Sequence, residues 1–119
     1  MNTIQKLQFE LMKRASFNEF DGEAVVRDLE SHEDLWHGVV MTRLESLIQL
    51  RDIVNDYWNV DTVFIIPRIG KEDELERLVS GWQADEVFWI GGDEAGMLLG
   101  ALSPRIRSNP KLILRVWWD

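Results

Sequence analysis

The stretch that most constrains how this chain can fold runs from Val87 to Leu102. It reads Val87-Phe88-Trp89-Ile90, then Gly91-Gly92-Asp93-Glu94-Ala95-Gly96, then Met97-Leu98-Leu99-Gly100-Ala101-Leu102. Four consecutive large apolar residues suit a strand covered on both faces. Two glycines then make a corner, after which helical spacing resumes with Asp93 placed as a cap. The pattern predicts strand, tight turn and helix. In open α/β sheets ligands collect at the carboxyl ends of strands, so this corner is where function is sought first.

The neighbouring segments extend the pattern. Val60-Asp61-Thr62-Val63-Phe64-Ile65-Ile66 is β-branched and stops at Pro67, which predicts a strand near 60–67. Leu75, Leu78, Val79 and Trp82 then lie on one helical face, with Glu72, Asp73 and Glu74 at the positive end of the helix dipole. A strand near 85–91 follows, then a helix from Asp93 to Leu102 ended by Ser103-Pro104, and a strand near 112–118. Strand, helix, strand, helix, strand at this spacing implies crossover units. The predicted fold is a single three-layer α/β domain over residues 1–119 with a mainly parallel central sheet. Its N-terminal portion, 1–45, packs on that sheet as two or three helices.

Within that portion, Ile4, Leu7, Leu11, Met12 and Ala15 draw an apolar stripe on a helix from Thr3 to Arg14. Phe17 and Phe20 anchor a linker, and Asp21 is placed to cap a short helix carrying Ala24, Val25, Val26 and Leu29. Ser31 and Asp34 form a variant capping box ahead of a helix bearing Trp36, Val39, Val40, Arg43 and Leu44. The competing reading is a strand from Trp36 to Thr42, because Gly38 weakens a helix and Val39-Val40-Met41 suits a sheet. Residues 46–53 fit either a further strand or the end of a helix running from Leu44 to Tyr57.

Composition limits the function classes. Of 119 residues, 45% are hydrophobic, enough for one real core. With no cysteine, thiolate chemistry and cysteine-bearing zinc sites are excluded, and a reducing cytoplasm is the expected location. The mixed polarity of residues 1–10 does not resemble a signal peptide, and no apolar run reaches the length of a membrane span. The net charge of −8 disfavours nucleic acid as a partner and favours a basic one. Charge is also segregated. Acids dominate from Glu72 to Glu94, whereas Arg105, Arg107, Lys111 and Arg115 meet no acid between Ser103 and Trp118. That asymmetry suits self-association of an acidic surface with a basic one.

Each motif with a chemical reading also has a structural one. Gly91-Gly92 can approach a phosphate closely, but Asp93 and Glu94 occupy the helix start an anion needs, which favours a capped turn or a divalent cation held by the two acids. Gly91-Gly92-Asp93-Glu94 is similar to four letters of the GGDEF signature of diguanylate cyclases. The likeness covers only those residues, Ala95 stands where that family has Phe, and nothing is carried over. Ile69-Gly70-Lys71-Glu72 resembles the close of a phosphate loop, yet it lacks the earlier glycine and the Ser or Thr that follows the lysine. Arg68, Gly70 and Lys71 remain candidates for an anionic ligand at the sheet rim. His32 and His37 are five residues apart and diverge on a helix, and no serine has a nucleophile-elbow context. Six tryptophans are many for this length, and Trp58, beside Tyr57 in a polar turn, is the candidate exposed anchor.

The expectation is a small acidic binding protein of bacterial or phage accessory type, non-catalytic and without cofactor or metal, which engages a protein partner. The alternative is a ligand-binding enzyme or sensor using Arg68, Gly70, Lys71, Gly91, Gly92, Asp93 and Glu94.

Overall fold

Local capping starts the helices where the sequence places them. The Asn2 side chain accepts from Gln5 N at 2.8 Å and the Asp21 carboxylate from Ala24 N at 3.2 Å, each satisfying a donor of a helical first turn. The computed structural model describes residues 1–42, 48–100 and 109–119. Along it run α1 (Thr3–Met12), two short paired strands β1 (Ser16–Phe17) and β2 (Phe20–Asp21), and α2 (Gly22–Ser31). A 3-10 turn (Glu33–Leu35) leads into β3 (Trp36–Met41), followed by α3 (Leu50–Asn55) and β4 (Thr62–Pro67). Then come α4 (Glu72–Val79), a second 3-10 turn (Ser80–Trp82), β5 (Glu86–Ile90), α5 (Gly92–Leu99) and β6 (Ile113–Trp117).

The sheet corrects the predicted fold. Its order is β3-β4-β6-β5, and each neighbouring pair is antiparallel. Strands β4 and β5 do run in the same direction with α4 between them, which is what their spacing suggested. The last strand inserts between them and bonds to both, so they never meet, and the unit is a split β-α-β. A mainly parallel sheet is therefore excluded. Strand β5 is at the edge of the sheet and not at its centre, which explains why Val87 and Phe88 are exposed despite the apolar run.

Four further expectations change. Residues 36–41 form the strand and not the helix: Trp36, Val39 and Met41 are buried while His37 and Val40 are exposed, nearly the period-two alternation of a half-covered strand. Ser31 is the last residue of α2 and does not start a new helix. Leu50–Asn55 is helical, the alternative to a strand for that stretch, and its start is a capping box between Gln49 and Asp52, while residues 46 and 47 lie outside the described residues. The α1 stripe is rotated: Gln5, Phe9 and Met12 face inward while Ile4 and Leu7 are exposed. The expected helix end at Ser103-Pro104 and the cations Arg105 and Arg107 lie outside the described residues.

The core occupies one face of the sheet. Phe9 and Met12 of α1, Val25, Val26 and Leu29 of α2, and Leu75 and Val79 of α4 pack on Val39, Met41, Val63, Ile65, Leu114 and Val116. Tryptophan indoles tie the layers together. Trp36 Nε1 donates to Leu29 O at 2.8 Å, Trp82 Nε1 to the Asp28 carboxylate at 2.9 Å, and Trp118 Nε1 to Trp82 O at 3.1 Å. On the opposite face a smaller cluster joins Ile90, Ile113 and Ala95 of α5, with Phe64, Ile66 and Leu112 packed at its side.

Gln5 does work that its polarity would not suggest. Its amide Nε2 donates to Val39 O and its Oε1 accepts from Val39 N, both at 2.8 Å, so one side chain bonds β3 as a neighbouring strand residue would. Gln5→Ala should strand both buried backbone groups and cost about 1–3 kcal/mol in denaturant unfolding. A loss below about 0.5 kcal/mol would mean that water replaces the amide freely.

Candidate functional site

The two glycine corners reach the same rim. In register, Ile65 of β4 and Trp89 of β5 both face Leu114 of β6, so Pro67 and Ile90 end their strands on one side of the sheet. Between them, however, the chain enters β6. Leu112 N donates to Ile90 O at 3.1 Å. A Cβ on Gly91 would lie 2.4 Å from Asn109 O and 2.7 Å from Pro110 Cα. Gly91 is thus required by close approach of the protein's own backbone, and Gly92, at φ 61°, by the turn.

The residues of the rim point to different tasks. Arg68 turns toward β3, where its Nε donates to Glu33 O at 3.0 Å and its guanidinium lies 3.4 Å from His37 Nδ1. Lys71 pairs with Glu74 at 3.4 Å, and Gly70 takes a left-handed turn at φ 82°. Asp93 and Glu94 are exposed in the first turn of α5, which starts from Gly91 without a side-chain cap. Arg68 lines one small cavity of about 110 Å³ and Glu94 a separate one of about 520 Å³, so the structure does not bring the two corners into one cleft. Among the described residues, no group of three His, Asp or Glu side chains is placed to hold a metal ion.

The cavity beside Glu94 opens between α5 and the second sheet face, lined by Phe64, Ile90, Met97, Leu98, Arg115 and Trp117 among others. A neighbouring one of about 320 Å³ is lined by Val40, Ile66, Leu98 and Leu99. Asp61, Thr62 and Arg115 are engaged here. Asp61 accepts from Thr62 Oγ1 at 2.8 Å and from Trp117 Nε1 at 3.2 Å, and Arg115 lies 3.5 Å from Glu86 and 4.9 Å from the Phe88 ring centre. Elsewhere, the hydrogen bond and charge of Lys13 hold Glu10 below its ordinary carboxylate value, a surface ion pair of α1. Trp58, the expected exposed anchor, is 2% exposed within the main core, while Tyr57 is at the surface with its hydroxyl donating to Ser16 O.

The feature missed in the sequence is the contrast between the two sheet edges. Trp118 N donates to Asp61 O at 3.1 Å, so alternate β6 residues 114, 116 and 118 bond toward β4, and 113, 115 and 117 bond toward β5. The β5 residues that bond inward are then Glu86, Phe88 and Ile90. Val87 and Trp89 direct their backbone N–H and C=O outward, where no strand among the described residues pairs with them. The same alternation across β4 leaves Val39 facing outward on β3, which is the residue Gln5 bonds. Gln5 takes the outward backbone of β3 at Val39, though not at Met41, which has the same parity, whereas the β5 edge is open and apolar, with Val87 42% and Phe88 43% exposed. Edge strands are ordinarily guarded by Lys, Pro or a bulge. Strand β5 contains one charge, Glu86, and neither Lys nor Pro.

No family model, curated protein or solved structure matches the chain. No described helix is long and apolar enough to cross a membrane.

If Gly91 serves backbone approach, Gly91→Ala should cost about 3 kcal/mol by forcing apart two main-chain segments. Gly70→Ala, strained in φ but with nothing within 4 Å of the new Cβ, should cost about 1 kcal/mol. Equilibrium unfolding of both variants gives the order, and its reversal would leave the packing account of Gly91 without support.

Proposed function

We propose that this is a non-catalytic binding protein whose working surface is the outer edge of β5, which accepts an extended segment of a protein partner as a further strand. The observation that carries this reading is the unequal treatment of the two edges. A buried glutamine amide bonds the outward backbone of β3 at Val39, while β5 presents outward backbone groups flanked by exposed Val87 and Phe88. Main-chain bonds along such an edge supply affinity, and alternate side chains supply selectivity. The reading of the rim as a site for metal or anionic ligand has less behind it, because Arg68, Lys71 and Arg115 are each engaged within the chain.

Val87→Lys tests this directly. Val87 is 42% exposed, so the substitution should change stability by no more than about 0.5 kcal/mol, while an added lysine guards an open edge. Affinity capture from a native lysate should return a stoichiometric partner with the unmodified protein and lose it with the folded variant. Recovery of the same partner in equal amount with Val87→Lys, or of none with the unmodified protein, would remove β5 as the working surface. In parallel, thermal denaturation against a panel of divalent metals and nucleotides should show no shift. A ligand at a hundred times its dissociation constant adds about 2.7 kcal/mol, so an upward shift lost in Asp93→Ala would restore the rim reading.

A further inference from the structure

Resting on that reading, we infer the chemistry of the partner: an extended segment in which Lys or Arg alternates with apolar residues. The argument is charge complementarity around an edge strand whose one charge is the acid Glu86.

Acids frame β5 on three sides. At its start stand Asp85 and Glu86, and beyond its end Asp93 and Glu94 open α5. Alongside it, Glu76 of α4 accepts from the Trp89 indole, which fixes that helix against the strand. Asp73 lies three residues earlier on the same helical face and is exposed. Cations are fewer here among the described residues: Arg77 is exposed on α4 one residue after Glu76, Lys111 is exposed before β6, and Arg115 lies within it. Arg115 is drawn to Glu86 at 3.5 Å and lies over Phe88, and Lys111 lies 5.6 Å from the Trp89 ring centre.

The two faces of an added strand would therefore meet different surroundings. Val87 and Trp89 share the face that carries α4, since they stand opposite Val116 and Leu114 of the core. A partner residue on that face lies over apolar ground with Asp73 and Glu76 above it. A lysine or arginine stem can cover that ground while its head reaches the carboxylates. On the other face the neighbour is Phe88, 43% exposed, which suits an apolar or β-branched residue. Alternation of cationic and apolar residues is what a strand needs to satisfy both faces at once.

A second copy of this chain fits less well. Twofold pairing of β5 with itself would bring the acidic α4 rows of both copies to the same new seam, like charge against like.

A short fluorescent peptide alternating Lys with Val tests the inference by anisotropy, beside an analogue with Glu for every Lys and one with alternate backbone amides N-methylated. The basic peptide should bind at least about tenfold more tightly than the acidic one, lose affinity as salt is raised, and protect the Val87 and Trp89 amides from hydrogen exchange. N-methylation should abolish binding, and Asp73→Lys should weaken it several-fold. Equal binding of the acidic peptide would overturn the charge argument. Undiminished binding of the N-methylated peptide, or binding without protection at Val87 and Trp89, would overturn strand addition. Concentration-dependent protection of those amides without peptide, with a dimer in sedimentation, would make the occupant a second copy. If the peptide fails while Val87→Lys still loses a lysate partner, the edge reading stands and the partner chemistry is wrong; if both fail, both readings fall.

Discussion

Much of this architecture depends on β6 sitting between β4 and β5. Strand β5 has no other strand neighbour among the described residues, so everything on its side of the sheet is held through the last-made strand. That strand is fixed from the helix layer. Leu114 and Val116 are fully buried, and beyond them Trp118 is buried against Phe20, ring centres 4.5 Å apart, with its indole on the Trp82 carbonyl. Phe20, Trp82 and Trp118 come from separate parts of the chain. Such non-local closure is slow to form compared with helical contacts, but once made it presents β5 as a stiff edge. A stiff edge loses little entropy when a further strand is added, which is a condition for useful affinity.

The existence of the strands was legible and their order was not. Val60 to Pro67, Val87 to Ile90 and Leu112 to Trp118 announce themselves through β-branched and aromatic residues, and α4 through its acids and its one apolar face. Nothing local in those runs says which strand lies beside which. A strand, helix and strand in succession read as adjacent parallel neighbours, and here the directions agree while a third strand separates them. The same gap hides the edge: an apolar run at a sheet margin and one at its centre look alike until neighbours are known. Segment 36–41 reads locally as a helix, with a strand as the competing reading. Tertiary bonding decided it, because Val39 needed a partner that only an extended backbone could offer to Gln5.

Gln5 shows where a sharper reading was available. Phe9 and Met12 are spaced from it as residues of one helical face, so a polar amide stands inside the apolar stripe. A glutamine there either carries an unsatisfied burden or meets a backbone, and a side-chain amide sets an NH2 donor beside a C=O acceptor, so it can bond the C=O and N–H of one strand residue together. It acts as a strand one residue long. The candidate rim, by contrast, was legible as turns and misleading as chemistry. Gly91 is explained by the closeness of Asn109 and Pro110, and Arg68 by Glu33 and His37. A sequence shows small and charged residues at strand ends without showing that they spend themselves on their own chain.

An open apolar edge is also a hazard, and the acidity of the chain answers it. With a net charge of −8, copies of this protein repel one another, and the repulsion is strongest where Asp73, Glu76, Asp85 and Glu86 crowd the margin of the sheet. Charge interactions decay over about 8 Å at physiological salt, so carboxylates facing one another across a new strand pair would still repel, though reduced by screening. A lysine within β5 would have guarded the edge equally against every comer, as such residues do elsewhere. On the proposed reading, carboxylates around it would discriminate instead, disfavouring the same surface on another copy and favouring a strand of opposite charge. If β5 does take a further strand, the acids and the edge act together: the backbone would provide the grip and the surrounding charge would select the partner.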